Sequence, residues 1–342
     1  MKIAVIGGGG WGTTLAILLE SKGHEIRLWV YEPGDAERML RTRENTAYLP
    51  GVRIPDRIAI TTSLADAAKD AEAVALVTPS RTLRGVASKL VADVGPALGS
   101  ARAIVVGSKG LEPKTLLRMS EVLAAVLHRS LHGRIVVLTG PSHAEEVSRR
   151  VPTAVVAASR DPVPAALVQE TFSTEWFRVY TNDDVIGVEI AAALKNVVAI
   201  AAGICDGLGF GVSTMGALLT RGLVEIARLG EQLGARPGTF SGLAGMGDLI
   251  ATAMSRHSRN RRLGEAIGKG MSLEQALAAT TMVVEGVGTA EAAVELARRC
   301  GVELPIAEQV RAILYEGKSA RTAIRELLTR DLKAEPRAVT RG

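Results

Sequence analysis

The sequence predicts an α/β domain, a mainly parallel sheet with helices on both faces, followed by an all-α domain. Three observations carry this. Short apolar, β-branched-rich runs alternate with helical segments up to about Asp183. The first run, Lys2 to Ile6, opens directly into four glycines and then an apolar stretch with no breaker until Gly23. Beyond Asp183-Asp184 the pattern changes to helices with no convincing strand.

The glycine turn specifies the kind of sheet. Residues 1–16 read M-K-I-A-V-I-G-G-G-G-W-G-T-T-L-A: strand, glycine turn, helix. Gly7 allows the tight turn, Gly9 lets a pyrophosphate approach the backbone, and Gly12 lets the helix pack close to the strand. The helix N-terminus offers free N–H groups and a positive dipole end to phosphates. Gly23-His24 ends that helix, and Glu25 to Val30 reads as a second strand. Glu32 stands 20 residues past Gly12, where a dinucleotide fold places the acid that meets the adenosine ribose hydroxyls. The first domain is therefore predicted to be Rossmann-type.

The remaining elements follow in order. Pro33-Gly34-Asp35 reads as a turn, then come a charged helix and a loop through Asn45 to Pro55. Ile58 to Thr61 is a short strand, and Ser63 caps a helix ending near Asp70. Ala73 to Thr78 is a continuous apolar strand ending at Pro79-Ser80, on the carboxyl edge where such sheets bind ligands. A helix over 81–91 and a strand over 103–106 lead into Gly107-Ser108-Lys109-Gly110. Ile135 to Thr139 opens into Gly140-Pro141-Ser142-His143-Ala144, and strands over 153–158 and 177–181 close the sheet. The division is residues 1–183 for a dinucleotide-binding domain, 184–332 for an α-helical substrate domain and 333–342 for a flexible tail.

Composition narrows the function. The 342 residues are 47% apolar and 23% charged, as in ordinary soluble two-domain proteins. Aromatics make up only 3%, which argues against stacking platforms for single-stranded nucleic acid. The net charge of +5 suits a small anionic substrate without demanding nucleic acid. Cys205 and Cys300 lie far apart without metal-ligand spacing and read as reduced and cytoplasmic. The N-terminal apolar stretch is too short for a signal peptide. Ile186 to Ile204 contains Glu189 and Lys195, so a core helix is expected there rather than a membrane span.

Lys195 sits in A-A-A-L-K-N-V-V-A-I-A-A, apolar on nearly every helical face. Desolvation lowers an ammonium pKa, as a lysine acid/base near neutral pH requires. Snorkelling of the ammonium to the surface is the alternative, and the residues alone leave both open. Asn196 beside it is placed to orient the lysine or bond a substrate. Lys109 brings a cation to the ligand edge of the sheet. The loop G-L-A-G-M-G-D-L-I-A-T contains Gly242, Gly245, Gly247, Asp248 and Thr252. Its clustered glycines suggest close backbone contact, and Asp248 is a candidate partner for Lys195. S-R-H-S-R-N-R-R, residues 255–262, packs four arginines and a histidine into an anion site or a basic patch. Arg259-Asn260 suits a phosphate, since a guanidinium matches two phosphate oxygens. His143 and His257 lack an evident carboxylate or serine partner, and no spacing suggests a metal.

Seven motifs then resemble one family in order and spacing: G-G-G-G-W-G-T-T-L-A, S-K-G-L-E, G-P-S-H-A-E-E-V, A-A-L-K-N-V-V-A-I-A-A-G, G-M-G-D-L-I-A-T, S-R-N-R-R-L-G and V-V-E-G. The family is bacterial NAD(P)-dependent sn-glycerol-3-phosphate dehydrogenase, and the resemblance runs from Met1 to about Leu328. It implies a cytoplasmic enzyme interconverting dihydroxyacetone phosphate and sn-glycerol 3-phosphate for phospholipid synthesis, commonly as a homodimer. On matching positions it implies Lys195 as proton donor and acceptor, and Lys109 as a contact to substrate and cofactor. Gly140, Ser142, Asp248, Ser258, Arg259 and Asn260 are implied substrate-site residues, with Arg259 also near the cofactor. Gly10, Trp11, Tyr31, Ala144, Val283 and Glu285 are implied cofactor contacts, beside Gly7, Gly9, Gly12 and Glu32 from the glycine motif. Many bacterial members carry a basic residue just after strand two, whereas this chain has Tyr31-Glu32, similar to the W-V-F-E of NAD-specific eukaryotic enzymes. A carboxylate repels a 2′-phosphate, so NAD is expected to be preferred over NADP, although nearby arginines could accommodate the phosphate.

Two rivals stand beside this reading. One is another two-domain dehydrogenase acting on a small hydroxy acid, ketopantoate or a UDP-sugar, against which the Arg259 region and L-K-N-V-V argue. The other is a dinucleotide-sensing or nucleic-acid-binding regulator, for which no recognisable DNA-binding motif is present.

Overall fold

The computed structural model describes residues 1–332, 334 and 335; the rest of the tail expected at 333–342 lies outside the described residues. The first part of the chain forms β1 (Lys2–Ile6), α1 (Gly10–Glu20), β2 (Glu25–Trp29), α2 (Pro33–Thr42), β3 (Glu44–Asn45), β4 (Leu49–Arg53), β5 (Ala59–Thr61), α3 (Leu64–Ala68) and β6 (Ala73–Leu76). It continues with α4 (Leu83–Val94), β7 (Ala103–Val106), α5 (Met119–Ala124), β8 (Ile135–Thr139), α6 (Ala144–Val147), β9 (Thr153–Ala158), α7 (Pro162–Phe172) and β10 (Phe177–Asn182).

Eight strands make one sheet in the order β10-β9-β8-β7-β6-β1-β2-β5. All neighbours are parallel except β8 and β9, so the sheet is mainly parallel as expected, with β9 and β10 reversed together. Strands buried on both faces must be apolar at every position. In β1, Ala4 and Ile6 join one core cluster while Ile3 and Val5 join the other, with helices covering both. Ser63 caps α3 as expected, accepting from Asp66 N at 3.1 Å.

Two local expectations are corrected. Pro33-Gly34-Asp35 is the first turn of α2 and not a separate turn, because Glu32 is already the extended N-cap. Proline suits the first helical position, where its missing N–H costs nothing. The stretch read as a loop from Asn45 to Pro55 contains the antiparallel pair β3–β4, with an irregular register between Glu44 and Asn45.

After β10 the described residues are helical: α8 (Val185–Gly207), α9 (Val212–Gln232), α10 (Pro237–Phe240), α11 (Asp248–Met254), α12 (Arg259–Gly268), α13 (Leu273–Ala278), α14 (Glu285–Arg299), α15 (Pro305–Glu316) and α16 (Ala320–Leu328). Among the described residues α8 is the one helix long and apolar enough to cross a membrane, yet 89% of its most apolar window is buried inside the protein. It is the axis around which the other helices pack. α12 crosses it closely because the contact is glycine on backbone. A Cβ at Gly203 would lie 1.9 Å from Arg261 O, and one at Gly264 would lie 2.0 Å from Ile200 O. That approach brings the start of α12 beside the middle of α8.

Candidate active site

A cleft of about 990 Å³ runs along the carboxyl edge of the sheet and under the helical body. At one end the glycine turn forms its floor. Gly7 has φ +134°, which disfavours a side chain, and a Cβ at Gly12 would fall 1.8 Å from Gly7 O. Gly9 differs: a Cβ there would meet nothing within 4 Å, so its bare face looks into open space. No side chain caps the first N–H groups of α1. An open backbone face at an uncapped helix N-terminus fits a pyrophosphate. Asn45, buried in β3, braces this turn by donating to Gly8 O at 2.9 Å and to Thr13 Oγ1 at 2.8 Å.

Tyr31 and Glu32 line the cleft near the glycine turn, both exposed, together with Asp35, Arg81 and Lys89. Asp35 is tied to Arg38 and Lys89 to Asp93, and among the described residues the Glu32 carboxylate forms no ion pair.

At the other end three charged groups converge. Lys195 projects from α8 with only 6% of its side chain exposed. Its Nζ donates to Asp248 Oδ1 at 2.7 Å and to Thr252 Oγ1 at 2.6 Å. Lys109, from the loop after β7, donates to the other oxygen, Asp248 Oδ2, at 2.9 Å and to Gly140 O at 3.2 Å. One buried carboxylate thus serves two ammonium groups. Burial pushes the Lys195 pKa down to about 7, and the Lys109 charge acts in the same direction while Asp248 opposes both. Burial would raise the Asp248 carboxyl, but the two lysines together outweigh it and hold it below the usual range.

The expected pairing of Asp248 with Lys195 is present. Asn196 instead turns away from the lysine and accepts from Asn260 Nδ2 at 2.9 Å. Asn260 Oδ1 in turn accepts from Gly286 N at 2.9 Å, so this buried pair ties α8, α12 and α14 together. Ser258 caps α12 through Arg261 N at 3.2 Å, and Arg259, at the first position of that helix, is exposed and donates to Val283 O at 2.9 Å. Ser142 donates to Gly140 O at 3.2 Å. Glu285 accepts from Ser80 N at 3.0 Å and from Ser80 Oγ, and burial pushes its carboxyl up.

The cleft therefore gathers Gly7, Gly9, Gly10, Trp11, Tyr31, Glu32, Lys109, Ser142, Ala144, Lys195, Asp248, Ser258, Arg259, Asn260, Val283 and Glu285. Gly12 and Gly140 lie behind that lining. Gly12 supports the helix–strand contact, and Gly140 supplies the carbonyl that holds Lys109. The glycine-rich stretch expected as a loop is instead a wide π-helical turn over Leu243–Gly247 leading into α11, and it serves packing: a Cβ at Gly245 would meet Phe240 O at 2.1 Å. Of the arginines at 255–262, Arg261 is spent on Asp206 at 2.6 Å. His143 also lines the cleft, and burial pushes its imidazole below its usual range. Sequence reasoning missed Asn45, for which neither spacing nor composition carried a signal, and placed Ser80 at the ligand edge of the sheet without its partner Glu285. Thr252 was visible only as the residue four after Asp248, on the same face of a helix.

Comparison with known proteins now bears on this geometry. Residues 2–165 match the family described as NAD-dependent glycerol-3-phosphate dehydrogenase N-terminus, and residues 184–325 match the corresponding C-terminus. The chain is 53% identical over 334 residues to the glycerol-3-phosphate dehydrogenase [NAD(P)+] of Geobacter sulfurreducens, covering 98% of each. It is 50% identical over 335 residues to that of Chlorobium limicola, covering 98% of this chain and 99% of the relative. Among solved structures, glycerol-3-phosphate dehydrogenase from Coxiella burnetii aligns with TM-score 0.90 at 36% identity, covering 96% of this chain and 98% of its own. Sheet, cleft and full-length similarity agree, and the chain belongs to the NAD-dependent glycerol-3-phosphate dehydrogenase family.

Proposed function

We propose that Lys195 is the proton-transfer group of an NAD(P)-dependent dehydrogenase that interconverts sn-glycerol 3-phosphate and dihydroxyacetone phosphate. The carrying observation is the buried Lys195–Asp248–Lys109 cluster at the inner end of a dinucleotide-sized cleft. A bound dihydronicotinamide supplies the hydride to the ketone carbon. The ketone oxygen then gains negative charge, and the Lys195 ammonium stabilises it and delivers a proton. In the oxidative direction neutral Lys195 takes the proton from the hydroxyl. Asp248 and Thr252 aim the Lys195 nitrogen, which leaves one of its three N–H positions for the substrate.

Arg259 is the exposed cation for the substrate phosphate, beside the N-terminus of α12, and Ser142, Ser258 and Asn260 complete that side. Anchoring the phosphate holds the reacting carbon in place. Residues 1–183 carry most of the cofactor contacts and residues 184–332 most of the substrate side, with Lys109 and Ser142 reaching the substrate from the first domain. Glu32 favours NAD(H), since its carboxylate meets ribose hydroxyls but repels a 2′-phosphate. The free thiols of Cys205 and Cys300 are consistent with a cytoplasmic location, checked by cell fractionation. A homodimer is checked by light scattering on the purified chain.

The reaction is tested by mixing purified protein with dihydroxyacetone phosphate and following oxidation of NADH and NADPH in parallel. Rapid oxidation of NADH with a lower kcat/KM for NADPH is expected. Dinucleotide binding without oxidation of either would move the substrate to another hydroxy acid, and a clear NADPH preference would remove Glu32 as the selector.

A further inference from the structure

The loop between β7 and α5, residues 107–118, carries Lys109 and has little regular structure of its own. A lone bridge between Leu111 and Arg118 closes it, and Glu112 N donates to Leu117 O at 2.9 Å. Lys114 and Leu116 sit at φ 71° and 62°, a region that side chains disfavour. Such a conformation persists only where its surroundings hold it. Two ion pairs do so. From α4, Arg84 grips both oxygens of Glu112 at 2.8 and 2.7 Å. From the loop's end, Arg118 reaches Glu189 of α8 at 2.5 Å.

Glu189 is fully buried and also accepts from Ser120 N at 2.8 Å and Ser120 Oγ at 2.5 Å. A buried ion pair is weak evidence for stability, because desolvation offsets its attraction. Its geometry says more. Glu189 lies on the helix that carries Lys195, six residues earlier, about 9 Å along the axis. Leu111, two residues after Lys109, is buried with Leu116 in the same apolar cluster as Ile190, Leu194 and Val197 of α8.

We infer that Arg118 and Glu189 are positioning residues: their ion pair clamps the Lys109 loop onto α8 and so sets how Lys109 and Lys195 share the Asp248 carboxylate. The inference rests on the reading of Lys195 as the proton-transfer group. Releasing the clamp slackens Lys109 and admits water beside Lys195. Less positive charge and less desolvation both let Lys195 keep its proton to higher pH. The other charged or titratable groups facing Lys195 are Asp248 from α11, Arg259 from α12 and His143 before α6. None of them is altered by substitution at 118 or 189.

The test is the pH dependence of kcat for glycerol 3-phosphate oxidation in the wild type, in Glu189→Gln, and in the double variant Arg118→Met with Glu189→Leu. The double variant leaves no buried charge unpaired, so it decides the matter alone if Glu189→Gln does not fold. In the wild type the rate rises with pH through a neutral limb as Lys195 loses its proton. In the variants that limb is expected to move alkaline by about half a pH unit or more, with KM for glycerol 3-phosphate raised and the Kd for NADH little changed. A folded double variant whose limb stays at the wild-type position would overturn the clamp alone. A wild type with no neutral limb would overturn the Lys195 reading and the clamp with it.

Discussion

The state of each charged residue in the cleft is set by what surrounds it. Lys195 suits the proposed proton transfer because burial costs its ammonium form, and Asp248 keeps the cost from removing the proton altogether. With a pKa of about 7, ammonium prevails below neutrality and free amine above it. In the proposed mechanism ketone reduction needs the ammonium, so its rate is expected to fall as pH rises through that range. Oxidation of the alcohol needs the amine and is expected to rise over the same range. Steady-state rates in both directions check the opposite signs. Substituting Asp248→Asn removes the charge that favours the ammonium, so the same limb is expected to move to lower pH, with a large loss of rate from misplaced lysines. At the proposed adenosine end, Glu32→Ser is expected to narrow the ratio of kcat/KM between NADH and NADPH, chiefly by improving NADPH. Much of this scale was legible in the sequence. A lysine in an apolar helix stands out, and an aspartate in a nearby glycine-rich loop suggests its partner. Asn45 and the pairing of Ser80 with Glu285 were not legible, because a polar residue in an irregular segment looks the same whether it braces a site or faces water.

At the scale of elements, close crossing of α8 and α12 brings the proposed phosphate side beside the lysine. Gly203→Ala would force a methyl group into Arg261 O and push α12 outward. It is expected to cost about 1–3 kcal/mol of stability and to raise KM for the phosphorylated substrate more than for the dinucleotide. Thermal unfolding and steady-state kinetics check the two parts. A second helix contact carries its own pH dependence. Glu225 of α9 accepts from Ile306 N at 2.8 Å and Ala307 N at 3.4 Å, capping α15 from a neighbouring helix. Burial pushes its carboxyl up to about 7 against the pull of those N–H groups. The folded state therefore holds a proton that the unfolded chain releases near its ordinary value of about 4.3. That contribution to stability is present at acid pH and is lost as pH rises through about 7. Glu225→Gln is expected to remove this slope, which melting curves across that pH range would show. The sequence marked the helices by their periodicity. It did not mark the β3–β4 pair, because Leu49 and Val52 are its only large buried apolar residues and no alternation accompanies them. Nor did the glycines before α11 announce their purpose, since a glycine pressed against Phe240 reads like one awaiting a ligand.

At the scale of the whole molecule, the sheet and the helices are not two bodies meeting at a surface. The Lys109 loop leaves the sheet and buries Leu111 in the helical core, Glu285 reaches back to Ser80, and Asp248 receives a lysine from each side. The alternation of strands and helices, and its end near Asp183, could be read from periodicity. The interlocking could not, because it depends on contacts between residues 53 to 205 positions apart. The charged cluster of the cleft is assembled by that interlocking, with Asp248 shared between Lys109 and Lys195.

The central claim is that Lys195 moves the proton and does not hold the cofactor. The most direct test compares Lys195→Ala with the wild type in NADH binding and in oxidation of NADH by dihydroxyacetone phosphate. The account expects NADH binding within a few-fold of wild type and a rate lower by about 10²–10⁴-fold. A folded variant that binds NADH and turns over at nearly the wild-type rate would contradict it.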